Sequence, residues 1–145
     1  MSGQTVTMRR VLPASCEEVF DAWLDAEGMR RWMHPGPVTS CEVMLEPCVG
    51  GQFRIVMEAP GTEIVNTGEF RVLERPSKLQ FTWISTRWGG EETLITIELH
   101  PRETHCELIL IHERFPEQYS APGLEQGWGQ MLEKLGGFLA PQGSE

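Results

Sequence analysis

The chain has 145 residues, 40% of them hydrophobic and 23% charged, which is the size and composition of one globular domain with its own core and excludes a disordered chain. Its 12 basic and 21 acidic residues leave a formal charge of -9, a surface that repels phosphate backbones, so no nucleic-acid partner is expected. No apolar run reaches the ~20 residues of a membrane helix, and Met1–Thr7 lacks the basic-then-apolar pattern of a signal peptide, so no membrane insertion and a cytoplasmic location are expected.

Thr5–Leu12 is rich in β-branched residues with partial alternation, which predicts a strand ended by Pro13. Ser15-Cys16-Glu17-Glu18 places Glu three residues after Ser, the signature of a capping box, and Val19, Phe20, Trp23 and Ala26 follow at helical spacing. A second short helix over Ala26–Met33 carries Met29, Trp32 and Met33 on one side, and His34-Pro35-Gly36-Pro37 ends it. Six strands are then predicted, at Val38–Leu45, Gln52–Glu58, Glu63–Leu73, Lys78–Thr86, Glu92–His100 and Thr104–Glu113. The breaks fall at Pro47–Gly51, Pro60-Gly61, Arg75-Pro76, Trp88–Gly90 and Pro101-Arg102. Connections this short demand antiparallel neighbours, because a parallel crossover needs a dozen residues or more.

Alternation in Phe53, Ile55, Met57, in Leu79, Phe81, Trp83 and in Cys106, Leu108, Leu110, His112 predicts a sheet with one buried face. Leu124, Trp128, Met131, Leu132, Leu135, Phe138 and Leu139 form one stripe of a long closing helix that covers it. Gly127, Gly129, Gly136 and Gly137 within that helix each cost about 1 kcal/mol relative to Ala, unless the backbone must approach something closely. The expected architecture is a single α+β domain over 1–145 with its core at about 5–139. A curved antiparallel sheet of about seven strands wraps a long C-terminal helix, and two short helices follow the first strand.

Cys16, Cys41, Cys48 and Cys106 form no C-x-x-C pair, and His34, His100, His105 and His112 show no ligand spacing. Neither a metal nor any other cofactor is expected, and the thiols read as reduced and mostly buried. No nucleophile elbow or phosphate loop occurs. Glu17-Glu18 is explained by the helix start and Glu91-Glu92 by a solvated strand start, and Glu42, Glu69 and Glu107 are expected to face solvent. The balance leans away from an enzyme.

The element order is that of the helix-grip superfamily of lipid-transfer and birch-pollen-allergen proteins. Glu18-Val19-Phe20-Asp21-Ala22-Trp23 with Met29-Arg30-Arg31-Trp32 resembles the opening of the activator of heat-shock-protein-90 ATPase homologue family. Pro47–Gly51, Gly68-Glu69-Phe70-Arg71, Pro76–Trp83, Leu108–His112, Phe115-Pro116 and Gly127-Trp128 continue that resemblance in order, across about Thr5–Leu139. Cys106, where the family often has Thr, and Glu113-Arg114, in place of a small turn, depart from it.

The resemblance implies an apolar ligand held between sheet and long helix. Met57, Phe70, Trp83, Trp128 and Met131 are the expected lining, with His112 facing the same space as a ligand contact or a general base. A buried, hydrogen-bonded imidazole is the structural alternative for His112, and simple core packing is the alternative for the rest. His34 is a candidate at a loop mouth. The competing function is a chaperone-associated or stress-response interaction domain docking through the Trp32-Met33-His34-Pro35 loop or a strand edge, and a cyclase or hydrolase is a third. The expected partners are therefore a small apolar molecule or a chaperone or other protein, with the chain a monomer or a homodimer.

Overall fold

A computed structural model describes residues 4–33, 40–86, 89–115 and 121–140. Strand β1 (Gln4–Leu12) leads into α1 (Cys16–Ala22) and α2 (Ala26–Trp32). Strands β2 (Ser40–Leu45), β3 (Gln52–Ala59), β4 (Thr62–Glu74), β5 (Lys78–Ser85), β6 (Glu92–Arg102) and β7 (His105–Phe115) follow, and α3 (Ala121–Leu139) closes the chain. The strands form one antiparallel sheet in the order β1-β7-β6-β5-β4-β3-β2, so the first strand closes onto the last and β1 and β2 are the edges.

The local chemistry explains each boundary. Ser15 accepts from the Glu18 backbone N–H while the Glu18 carboxylate accepts from the Ser15 N–H, the predicted capping box. The apolar run expected as one stripe is divided at Leu24-Asp25, so Trp23 caps the C-terminus of α1 and Ala26 opens α2. Strand β6 runs through Pro101, beyond the expected break at Pro101-Arg102, and the hairpin turns instead at Glu103, which has φ 57°. Pairing with β5 stops at Glu98, so the missing N–H of Pro101 removes no bond to that neighbour. The expected start of β2 at Val38, the loop at His34, its proposed docking role and Trp88 lie outside the described residues.

The three alternating sets face one way and are buried, and the α3 stripe from Leu124 to Leu135 is buried against them, with Phe138 and Leu139 half-buried at its end. In α3, a Cβ on Gly129 would meet Arg10 at 3.3 Å and one on Gly136 would meet Leu12 at 3.6 Å, so both face β1 closely. Gly127 and Gly137 face open space.

One outward-facing residue is not solvated as expected. Glu107 stands on the outer face, yet only 9% of it is exposed. Arg9 Nη1 donates to its Oε2 at 3.2 Å and Arg102 Nε to its Oε1 at 2.9 Å, covering the carboxylate from both neighbouring strands. The Arg102 hydrogen bond holds its pKa below the usual carboxylate value, with Arg9 adding to the effect.

Candidate functional site

The inner face of β3, β4 and β5 carries Phe53, Phe70, Phe81 and Trp83, whose rings meet at centroid distances of 5.5 to 6.3 Å. Gly68 makes this nest possible. A Cβ there would sit 2.0 Å from the Thr82 carbonyl oxygen and 2.5 Å from the Phe53 ring, so only glycine lets Phe53 lie down on its partner strand. Helices α1 and α2 close over the nest with Trp23 and Trp32, which pack edge to face at 4.8 Å. Helix α3 adds Trp128, 5.6 Å from Trp83 and 6.2 Å from Trp23.

Between these layers lies a cavity of about 10 Å³, lined by Trp23, Met29, Met33, Leu45, Phe53 and Ile55 with Phe70, Phe81 and Trp83. That volume holds about one water molecule. Of the residues expected from sequence, Phe70 and Trp83 line it and Trp128 packs directly behind Trp83. Met57 and Met131 are buried in the same core but outside this lining. The remaining seven, Trp23, Met29, Met33, Leu45, Phe53, Ile55 and Phe81, complete it without having been singled out as lining. Their signal was present, since Phe53 and Phe81 share alternating faces with Met57 and Trp83.

His112 points inward, as strand alternation requires, and is fully buried. The Trp128 indole Nε1, which can only donate, gives its hydrogen to His112 Nδ1 at 3.2 Å. His112 Nε2 therefore carries the ring hydrogen and donates to Thr93 Oγ1 at 2.7 Å, and Thr93 passes its own hydroxyl hydrogen to the Trp83 carbonyl at 2.6 Å. Burial lowers the imidazole pKa to about 3, so the ring is neutral at physiological pH. Both ring nitrogens are committed to neighbours, and the ring fixes the orientation of Trp128.

The other described indoles differ. Trp23 Nε1, Trp32 Nε1 and Trp83 Nε1 are buried with no hydrogen-bond partner among the described residues. Each such donor costs about 1–3 kcal/mol relative to a satisfied one. Two of the three belong to side chains that line the cavity. Among the described residues no cluster of His, Cys, Asp or Glu is arranged to hold a metal ion, and no helix is long and apolar enough to cross a membrane.

The folded chain is similar to the Chromobacterium violaceum protein CV1439, with a TM-score of 0.86 and 24% identity over 95% of this chain and 98% of that one. A Rhodobacter sphaeroides protein superposes with a TM-score of 0.82 and 22% identity, covering 96% of this chain and 95% of its own. The Nitrosomonas europaea protein NE0264 gives 0.80 and 20%, covering 93% of each chain. At these identities the likeness establishes the helix-grip fold. The comparison with curated proteins finds no match. Residues 13–140 match the family model described as activator of Hsp90 ATPase homolog 1-like protein, so the chain belongs to that family.

Proposed function

We propose that the chain binds a small, largely apolar molecule bearing hydrogen-bond acceptor atoms, such as a ketone, inside the aromatic nest between the sheet and the helices. Phe70 and Trp83 would touch it, Trp128 and Met131 would back it from α3, Met57 would flank it on β3, and His112 would position Trp128. The observation that carries this reading is the set of three buried indole N–H groups with no partner among the described residues. A carbonyl oxygen reaching one of them would relieve a cost that no described protein atom relieves.

A drug-sized ligand needs ~300 Å³ or more, so binding requires the nest to open. Met29 and Met33 suit that role, because thioether side chains repack at low cost. They sit on or beside α2, a helix of seven residues whose Asp25 makes no side-chain cap. The reading is tested by titrating acetophenone and α-methylstyrene, in which a methylene group replaces the carbonyl oxygen, against the resolved indole N–H resonances in a nitrogen–proton NMR spectrum. The ketone is expected to bind about 3–10-fold more tightly and to move the Trp23, Trp32 and Trp83 signals, the ratio one neutral hydrogen bond supplies. Equal affinities, or no shift with either compound, would remove the proposal.

A second reading, a protein-interaction domain of the co-chaperone kind, draws support from the small size of the cavity. Its difficulty is the surface. The exposed large apolar side chains among the described residues are Val11, Met44 and Val49, and Val11 and Met44 stand on opposite edges of the sheet.

A further inference from the structure

Cys16 opens α1 and Cys106 lies near the start of β7, 90 residues apart in sequence and both buried. Their sulfurs are 2.6 Å apart, about half an ångström more than a disulfide bond. Both are anchored independently. Cys106 is paired with Leu12 of β1 and Pro101 of β6, and the next residue, Glu107, is gripped by Arg9 and Arg102. Cys16 follows directly on the capping box at Ser15. Two thiols are thus brought face to face by separate elements, outside the nest described above.

We propose that Cys16 and Cys106 form a reversible disulfide that ties α1 to β7, made by hydrogen peroxide and undone by a small-molecule thiol. Cys16 is the entry point, being 6% exposed where Cys106 is wholly enclosed. The Cys16 thiol gives up its proton and its thiolate attacks one peroxide oxygen, the O–O bond breaks, the departing hydroxide takes up that proton and leaves as water, and the sulfur becomes a sulfenic acid. The Cys106 sulfur then attacks the Cys16 sulfur and gives up its proton. The S–O bond breaks and a second water leaves. Two thiols have lost two electrons and two protons, and one peroxide has become two waters. Burial, followed by the contact with Cys16, pushes the Cys106 thiol well up, which keeps it from starting the reaction, and its place against the Cys16 sulfur lets it complete it. The bond closes a 90-residue loop and fixes the start of the helix that ends at Trp23.

The test uses the full chain with exposed Cys48 replaced, Cys48→Ser, treated with hydrogen peroxide, quenched with catalase, denatured and alkylated with N-ethylmaleimide. The alkylated thiols are expected to fall from three to one, and a peptide map should join Cys16 to Cys106. The thermal midpoint should rise by roughly 10 °C, and dithiothreitol should reverse both changes. Adding Cys106→Ala or, separately, Cys16→Ala should abolish the cross-link and the rise. Three alkylated thiols after peroxide, a link to Cys41 instead, or Cys16 over-oxidised without a cross-link would each overturn the proposal.

Discussion

Trp128 and the trio Trp23, Trp32 and Trp83 are buried alike, yet they belong to two regions built on opposite terms. At the junction of β6, β7 and α3, every step of a polar chain is closed, from the Trp128 indole through His112 and Thr93 to the Trp83 carbonyl. Under α1 and α2, three indole donors are buried with no partner among the described residues, and two of them, on Trp23 and Trp83, stand in the wall of a small cavity beside two methionines. A closed network rigidifies a core, and unpaired donors in a reshapable wall leave room for a binding partner. The polar chain is therefore scaffold, and the proposed function places its ligand on the side of the trio.

Breaking the closed region should produce the largest effect. His112→Ala leaves the Trp128 N–H and the Thr93 hydroxyl to find new partners and opens a cavity, so it should lose about 3–4 kcal/mol in urea unfolding at pH 7. A loss below about 1 kcal/mol would mean that the network does not organise this end of the molecule.

Acid should act on the same residue. The folded pKa of His112, about 3, lies below the ordinary value of 6.5, so below pH 6.5 the unfolded chain takes up a proton that the folded chain refuses. The stabilisation is complete above pH 6.5 and declines as pH falls toward 3, by about 1.4 kcal/mol per pH unit. Asp21, held low by Arg75, and Glu107 lose their contributions only in the carboxylate range, and Glu58, raised by its hydrogen bond with Glu63, is common to both chains, so the difference between the native chain and the His112→Ala variant from pH 5 to 6.5 reports the histidine. Urea midpoints across that window should fall for the native chain and stay flatter for the His112→Ala variant.

The inward orientation of His112 was legible in the sequence, because Cys106, Leu108, Leu110 and His112 alternate without interruption. Its partners were not. Thr93 lies across a strand pair and Trp128 on a helix, and their meeting depends on three-dimensional register that periodicity does not carry. The fold was legible for the opposite reason: capping boxes, alternation and the α3 stripe are all local patterns. The same limit hid Cys16 from Cys106, because alternation along β7 cannot bring a strand residue to a helix 90 residues away. It also left Glu107 as a solvent-facing residue, since alternation gives the face of a strand and not what neighbouring arginines do above it.

A direct contrast between the two regions comes from removing the same indole N–H at each. Trp128→Phe takes a hydrogen-bond donor away from His112 Nδ1 and should cost about 2 kcal/mol, combining the lost bond with lost volume. Trp32→Phe removes a donor that has no described partner, so relief offsets the lost volume and the net cost should stay below about 1 kcal/mol. Equal losses in matched urea titrations would erase the distinction between the regions.

The finest comparison is between the caps of α1 and α2. Ser15 both donates and accepts within its capping box, whereas the Asp25 side chain makes no cap bond, although both begin helices of seven residues. Ser15→Ala should therefore cost about 1 kcal/mol, and Asp25→Ala only a few tenths. The physical consequence is a difference in local opening, because a helix whose first N–H groups lack a side-chain acceptor frays at lower cost. Amide exchange over Ala26–Trp32 should accordingly outpace that over Cys16–Ala22 in the same sample. Acetophenone, if it enters by displacing Met29 and Met33, should slow exchange in α2 while leaving α1 unchanged. Exchange that is uniform across both helices would mean that α2 is as firmly held as α1, and the nest would then have to open elsewhere.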